Sequence, residues 1–399
     1  MILGLDAYLT DWLNLLFRWL HVIAGIAWIG TSFYFVFLDN ALERPTEPGD
    51  AEKGVAGELW AVHGGGFYHV QKHQVSPARL PEPLHWFKWE AYTTWLSGFA
   101  LLVVLYYLNA EIYLIDPSVA DLSVAAAVGA SLAGLVLAWV VYDALCRLVR
   151  NELVLGAAIV GLTALAAWGA GELFSGRGAF IQVGAMLGTI MAANVLFVII
   201  PAHWELVRAK QQQRAPRLER GLEAKRRSVH NNYLTLPVVL TMIANHFPFL
   251  YARQRAWLVL LALMLIGAWV RHFFNLRRQG RTVLLIPVTA AAATVALALA
   301  LEPDEPDRST TTPVDSASAV AIVERRCVTC HSADPTSEQF QTAPAGVVLD
   351  TPEQIAARAE AIRAQAVDSR AMPLGNATGM TDAERQTLGA WIAAGAPVE

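Results

Sequence analysis

The sequence predicts an all-α protein, with an eight-helix integral membrane bundle followed by a small helical soluble module. Apolar residues make up 55% of the 399 residues, and the mean hydropathy of +0.39 exceeds the values usual for soluble domains. Eight apolar runs reach the ~20 residues that a helix needs to cross a bilayer. A Cys-x-x-Cys-His pattern lies near the end of the chain, after a proline-rich segment.

The eight runs lie within residues 1–302, which form the predicted transmembrane domain. In chain order they are 12–38, 88–110, 121–146, 152–172, 180–203, 231–250, 254–273 and 282–302. The sixth run is the least regular because it contains Pro237, Asn245 and His246. Polar residues are costly inside a membrane, so Asn245 and His246 are candidate functional residues.

Lysine and arginine are unevenly distributed over the loops between these runs. They crowd into the loops after the first, third, fifth and seventh runs, whereas the opposite side carries only Arg177, Arg253, Arg255 and Arg308. Positive residues favour the cytoplasmic side. The N-terminus and the segment after residue 302 are therefore predicted to lie outside the cytoplasm, which is the periplasm for a bacterial inner membrane. The basic run 208–227 suits this topology, so lipid is an expected partner and nucleic acid is not.

The C-terminal part divides into a periplasmic linker, 303–318, and a soluble module, 319–399. The linker is rich in proline, acidic and hydroxyl residues, which favours an extended solvated chain. In the module, Cys327, Cys330 and His331 have the spacing of a c-type haem attachment site. The two thiols bond the porphyrin and the histidine ligates the iron. One covalent haem c is therefore predicted.

A methionine is the expected second ligand of that iron, because a thioether raises the reduction potential. Met372, in the loop "AMPLGNATGMT", is the preferred candidate since the adjoining proline can stiffen the loop. Met380 is the alternative. The loop resembles the axial-methionine loop of class I cytochromes c, and Pro344 resembles the proline of that family whose carbonyl orients the proximal histidine.

The first run carries polar and small residues on one helical face. They are Asn14, Arg18, His21, Gly25, Trp28 and Ser32. Such a face can be a packing seam between helices, whereas Arg18 with His21 indicates a functional pair. His21 and His246, on different helices, could hold a b-type haem between them, and the alternative is two ordinary hydrogen-bonded histidines.

Several segments together resemble the membrane-bound cytochrome c urate oxidase family, also called urate hydroxylase, of bacterial purine catabolism. They are "RWLHVIAGIAWIGTSFYF", "LWAVHGGGFYHVQK", "WFKWEAYTTWLSGFA", "CVTCH" and "MPLGNATGM", and the likeness extends over nearly the whole chain. The resemblance implies oxidation of urate to 5-hydroxyisourate. It also implies that electrons leave through the c haem to a soluble or membrane cytochrome or a terminal oxidase, rather than reducing oxygen to hydrogen peroxide. A non-enzymatic carrier from quinol to cytochrome c is the alternative function.

Urate is a planar anion, so its site needs a cation, aromatic faces and hydrogen-bond donors. The candidate catalytic residues are Arg18, His21, His63, Lys72 and Glu90, and the candidate binding residues are Asn14, Trp60, Phe67 and Asn245. The base that activates water is left open among His63, His21 and Glu90. The three glycines of residues 64–66 allow close approach to a planar ligand or a simple flexible turn.

The predicted position of the c haem constrains where urate can bind. A cytoplasmic urate site would be separated from a periplasmic haem by ~30 Å of hydrocarbon. Either urate binds in the outer half of the bundle, around Arg18, His21 and Asn245, or a b haem relays electrons through it.

Overall fold

The computed structural model describes residues 7–47, 49–74, 76–302, 315–337 and 340–398. It is 68% helix and 5% strand, so the predicted helical class is confirmed with the addition of a small sheet. The membrane part contains α1 Ala7–Ala41, α2 Trp89–Leu101, α3 Ala110–Tyr113, α4 Val124–Leu148, α5 Glu152–Leu173, α6 Gly176–Ala193, α7 Ile200–Gln211, α8 Leu218–Ala244, α9 Pro248–Tyr251, α10 Ala256–Arg278 and α11 Leu285–Ala300. A π-helical turn, Leu102–Tyr107, extends α2, and another, Asn194–Ile199, joins α6 to α7.

Among the described residues, five helices are long and apolar enough to cross a membrane, which agrees with a membrane protein. They are Tyr8–Ala41, Val124–Leu148, Glu152–Leu173, Gly176–Gln211 and Ala256–Arg277. The three other predicted runs coincide with α2 and its π-helical turn, with the second half of α8, and with α11. Eight membrane crossings stay a prediction.

Helix α6 lies at the centre of the bundle and packs against α4, α5 and α8. Phe180, Val183 and Leu187 follow its 3.6-residue period and are almost fully buried. Gly184 permits the approach of α8, because a Cβ at this position would lie 2.0 Å from Thr241 Oγ1. Small residues allow helix backbones to approach closely in membranes. Helix α1 packs mainly on α2 and leaves most of its apolar surface exposed.

The loop between α1 and α2 is an antiparallel hairpin, which the all-α prediction missed. Strand β1 is Val55–His63 and strand β2 is Gly66–His73, with His63 opposite Gly66. Gly64 and Gly65 form the two-residue turn, with φ of +57° and +81°. Turns of this kind need positive φ at both positions, which glycine adopts without steric cost. The triple glycine thus makes a hairpin turn.

The C-terminal module contains α12 Ser316–Arg326, α13 Pro352–Ala357, α14 Ala359–Ile362 and α15 Asp382–Ala393 around its own core. Thr381 and Glu384 form a capping box at the start of α15. Most of the predicted linker, residues 303–314, lies outside the described residues.

The C-terminal module contacts the membrane part at one end of the bundle, which we call the outer end. Its turn Leu374–Asn376 packs against α3. Gly375 has a φ of +58°, and a Cβ there would lie 2.6 Å from the carbonyl oxygen of Ile112. Only glycine allows this approach without displacement.

Candidate functional site

The predicted haem attachment motif lies at the end of α12, where the chain makes a tight turn. The backbone amides of Cys330 and His331 both donate to the carbonyl of Cys327, at 3.1 and 2.9 Å. His331 Nδ1 donates to the Val347 carbonyl at 3.1 Å. A histidine held through Nδ1 keeps Nε2 available for a metal. These residues therefore fit a c-type haem.

The partner of the proximal histidine differs from the sequence expectation. The carbonyl of Pro344 was expected to orient His331, and that expectation is wrong, since it accepts from the Val347 amide at 3.2 Å. Residues 344–346 form a 3₁₀ turn, which directs the following carbonyl, that of Val347, at the imidazole. The sequence alone did not give the geometry of this turn.

The two candidate methionines have different surroundings. Met380 is 3% exposed and belongs to the core of the C-terminal module. Met372 is half-buried at the edge of that core, where Cys327 and Val347 also lie. Its backbone is fixed on both sides, because its amide donates to Gln365 and its carbonyl accepts from Arg385. Met372 is therefore in a loop with a defined backbone, whereas Met380 fills space.

The Cys327 thiol lies at the edge of the core of the C-terminal module. Burial raises its pKa to about 11. Within the described residues, no group of three or more His, Cys, Asp or Glu side chains is placed to hold a metal ion.

The polar face of α1 divides into two parts. His21 Nδ1 donates to the Thr94 carbonyl at 2.9 Å, and its ring fills the space above Gly98. This part of the face is a packing seam with α2. Further towards the outer end, Arg18 is exposed and donates to Asn14 Oδ1 at 2.9 Å.

The structure does not bring His21 and His246 together. His21 also contacts Ser97, whereas His246 is exposed beyond the end of α8. Its neighbour Asn245 accepts a hydrogen bond from Tyr106. Tyr106 lies nine residues after Ser97 in the continuous helix that α2 forms with its π-helical turn. At ~1.5 Å per residue this is roughly 13 Å along the helix axis. The two histidines thus have different surroundings, and the b-haem pair stays a prediction.

The candidate residues of the hairpin lie away from those on α1. Trp60 stacks on His69 with ring centroids 4.2 Å apart, and Lys72 pairs with Asp39 at 2.6 Å. His63 and Phe67 are exposed beside the turn, Phe67 by 79%. The structure therefore does not gather these residues into one pocket with Arg18 and Asn14.

Glu90 lies at the start of α2, at the end of the bundle opposite the C-terminal module. It is half-buried, and among the described residues its Oε2 atom has no hydrogen-bond partner. Its neighbour Ala91 packs with Trp28 and Trp86. Glu90 thus stays a candidate proton acceptor, and the outer-end residues are not close to it.

A cluster at the outer end of the bundle, which we call the outer tyrosine cluster, joins the predicted Asn245 to four residues that sequence reasoning missed. It consists of Tyr106, Tyr113, Arg177, Asn245 and Tyr251. The Arg177 guanidinium lies 5.0 Å from the centroid of the Tyr113 ring, and Tyr106 donates to Asn245 Oδ1 at 3.2 Å. Burial raises the pKa of the Tyr113 phenol, so it stays neutral. One sequence signal could have found it, since Arg177 is an isolated cation beside an apolar run on an otherwise cation-poor side.

A second buried polar cluster lies towards the opposite end of the bundle. Arg227 is fully buried and donates to Asp143 Oδ1 at 2.6 Å. Asn194, also fully buried, donates to Tyr142 and Asn231. Buried charges are stable only when paired and hydrogen-bonded. These residues therefore join α4 and α8 to the π-helical turn that follows α6.

Comparisons with known proteins identify the membrane part. No curated protein and no solved structure matches the chain. The family described as Urate oxidase N-terminal matches residues 7–302, which include every helix from α1 to α11. The match indicates an enzyme related to urate oxidation, and the chain belongs to the Urate oxidase N-terminal family.

Proposed function

We propose that the chain is a membrane-bound urate oxidase, or urate hydroxylase, that passes electrons from urate to a covalent c-type haem. The family match supports the substrate, and the apolar helices support the membrane location. One observation carries the cytochrome-linked form of the reaction. The module with the Cys-x-x-Cys-His motif packs directly on the outer end of the urate oxidase domain, through Gly375 and Ile112.

The residues present fit a class I-like cytochrome c domain. Cys327 and Cys330 would bond the porphyrin, and His331 Nε2 would ligate the iron while Nδ1 stays bonded to Val347. Met372 would supply the second ligand. When bound, the haem accepts one electron at a time.

The proposed reaction balances without oxygen as oxidant. Oxidation of the urate anion to 5-hydroxyisourate forms one bond between carbon five and a water oxygen. It releases one proton and two electrons, which two one-electron transfers carry to a soluble or membrane cytochrome or a terminal oxidase. Water attack needs a proton acceptor, and His63, His21 and Glu90 remain the candidates. Of these, His21 is held by Thr94.

The proposed arrangement is a multi-pass protein of the bacterial inner membrane with eight crossings. The uneven distribution of Lys and Arg supports a periplasmic N-terminus and a periplasmic C-terminal module. The outer end of the bundle then faces the periplasm. A b haem between His21 and His246 is not part of this proposal, because these histidines lie apart.

Spectroscopy on the purified protein tests the proposal. We expect the pyridine haemochrome spectrum to show one c-type haem, and anaerobic addition of urate to reduce it. Replacing both Cys327 and Cys330 by alanine should abolish urate turnover, whereas Cys146→Ala, which removes a buried cysteine of the bundle, should retain it. Undiminished turnover with release of hydrogen peroxide in the double variant would show that electrons leave by another route.

A further inference from the structure

The outer tyrosine cluster combines a cation with aromatic faces at the point where the C-terminal module meets the bundle. The Tyr106 and Tyr113 ring centroids are 6.0 Å apart and the rings are inclined by 58°. Arg177 lies over Tyr113 and also within interaction range of the Tyr106 and Tyr251 phenols. Planar anions are recognised by such combinations of guanidinium and aromatic rings.

Helix stability does not account for the position of Arg177. It is the second residue of α6, and the first turn of that helix contains no acidic residue. A cation is unfavourable at a helix N-terminus, where the helix dipole is positive. The positive potentials of the Arg177 side chain and of the helix N-terminus therefore add, and a bound anion would be stabilised by both.

Arg177 also has an unused buried donor. In the part of the chain that the structure describes, its Nε atom is buried without a hydrogen-bond partner. A buried donor left unsatisfied costs free energy that a bound acceptor would recover. Arg18 and Asp11 act electrostatically on Tyr113 from α1, so one carboxylate and a second arginine also lie near the cluster.

The cluster is close to the haem attachment motif. Ile112, the residue before Tyr113, touches the turn that follows Met372. A ligand at Arg177 would therefore lie beside the haem module, with none of the ~30 Å of hydrocarbon between them.

We propose that the outer tyrosine cluster is the urate site, in which Arg177 pairs with the oxygens of the purine anion and Tyr113 and Tyr106 supply aromatic contacts. Asn245 supplies an amide for the ring nitrogens and oxygens. The inference rests on the proposed function and specifies which face of the membrane urate enters from. It assigns substrate binding to residues other than those of the hairpin, and it removes His63 and Glu90 from the candidate bases, because both lie at the opposite end of the bundle.

Substitution of Arg177 tests the site. The urate concentration for half-maximal haem reduction should rise by about 10- to 100-fold in Arg177→Gln, because a charged hydrogen bond to the anion is lost. Arg177→Lys should lie between this variant and the wild type. The spectrum of the haem and its reduction by ascorbate should not change, which separates a binding defect from a folding defect.

Arg253→Gln is the matched control at the outer end. Arg253 donates to the backbone carbonyls of Phe249 and Leu301, so its replacement removes a positive charge without touching the cluster. We expect wild-type half-saturation by urate. A folded Arg177→Gln variant with wild-type half-saturation would overturn the site and leave the proposed function intact.

A sidedness experiment needs no variant. In sealed vesicles of known orientation, proteolysis identifies the face that carries the C-terminal module. Urate added to that face should reduce the haem, and urate added to the hairpin face should not. Reduction from the hairpin face alone would overturn the outer site, whereas no reduction from either face would overturn the proposed function and this inference with it.

Discussion

At the scale of single residues, the buried ion pair between Arg227 and Asp143 shows how this membrane domain handles charge. Arg227 is fully buried, lies 5.1 Å from the Tyr142 ring centroid, and donates to Asp143 at 2.6 Å. Arg147 also donates to Asp143 but is largely exposed. Both arginines pair with the Asp143 carboxylate, but only Arg227 is buried and needs a paired charge to be stable there.

Removing the Asp143 carboxylate should lower the stability of the folded protein, because Arg227 is buried. We expect Asp143→Ala to lower the free energy of unfolding by about 3 kcal/mol, because the buried Arg227 then keeps only its longer ion pair with Glu223, at 3.4 Å. Arg147→Ala removes only an exposed pair and should cost at most about 1 kcal/mol. Denaturation of the detergent-solubilised protein measures both. Equal losses in the two variants would mean that Arg227 gains its stability from elsewhere.

At the scale of elements, the hairpin is held together by a buried carboxylate. Glu58 accepts from the side chain and the backbone amide of Thr46 and from His69. These hydrogen bonds, led by that of the Thr46 side chain, lower the pKa of Glu58 from 4.5 to about 2. A carboxyl with a lowered pKa stabilises the folded hairpin above its unfolded pKa, and this stabilisation is lost as the pH falls.

The hairpin should therefore open in acid. Between pH 4.5 and about 2, we expect the amides of β1 and β2 to lose protection against hydrogen exchange, after correction for the intrinsic rates. In Glu58→Gln, the amides of β1 and β2 should be less protected against exchange at neutral pH, and their protection should change less with pH. Protection that is independent of pH in the wild type would rule out Glu58 as the group responsible.

At the scale of the whole molecule, the contact between the C-terminal module and the bundle depends on one glycine. Gly375 has no room for a side chain against Ile112. By contrast, Gly395 of the same module also has a positive φ, but nothing lies within 4 Å of the position of its Cβ. Alanine substitutions at Gly375 and at Gly395 therefore separate the effect of the interface from that of backbone strain.

Gly375→Ala should slow the reduction of the haem by urate several-fold, because the Cβ must push the module away from α3. Reduction by ascorbate should be unchanged, since the motif itself is intact. Gly395→Ala also places an alanine at a positive φ, of +93°, and should retain the wild-type rate with urate. Stopped-flow absorbance of the haem measures the rates. If the reduction of the haem by urate slows equally in both variants, the interface does not lie on the path of electron transfer.

Features that depend on local pattern could be predicted from the sequence alone. Apolar runs of spanning length predicted the helices, because a bilayer requires every backbone group to be bonded within the helix. The capping box at Thr381 and the spacing of Cys327, Cys330 and His331 were likewise readable, since each depends on residues close in the chain.

Contacts between residues that are distant in the chain could not be predicted, because they depend on how the helices pack. Periodicity placed His21 on an inward face but could not say that Thr94 occupies its Nδ1 atom. The glycines at 64–66 were compatible with a ligand contact or a turn, and strand pairing across them made the turn. Tyr113 and Arg177 are 64 positions apart in the chain and come together because α3 packs beside the start of α6. Such contacts are set by helix packing, which no local pattern in a single sequence records.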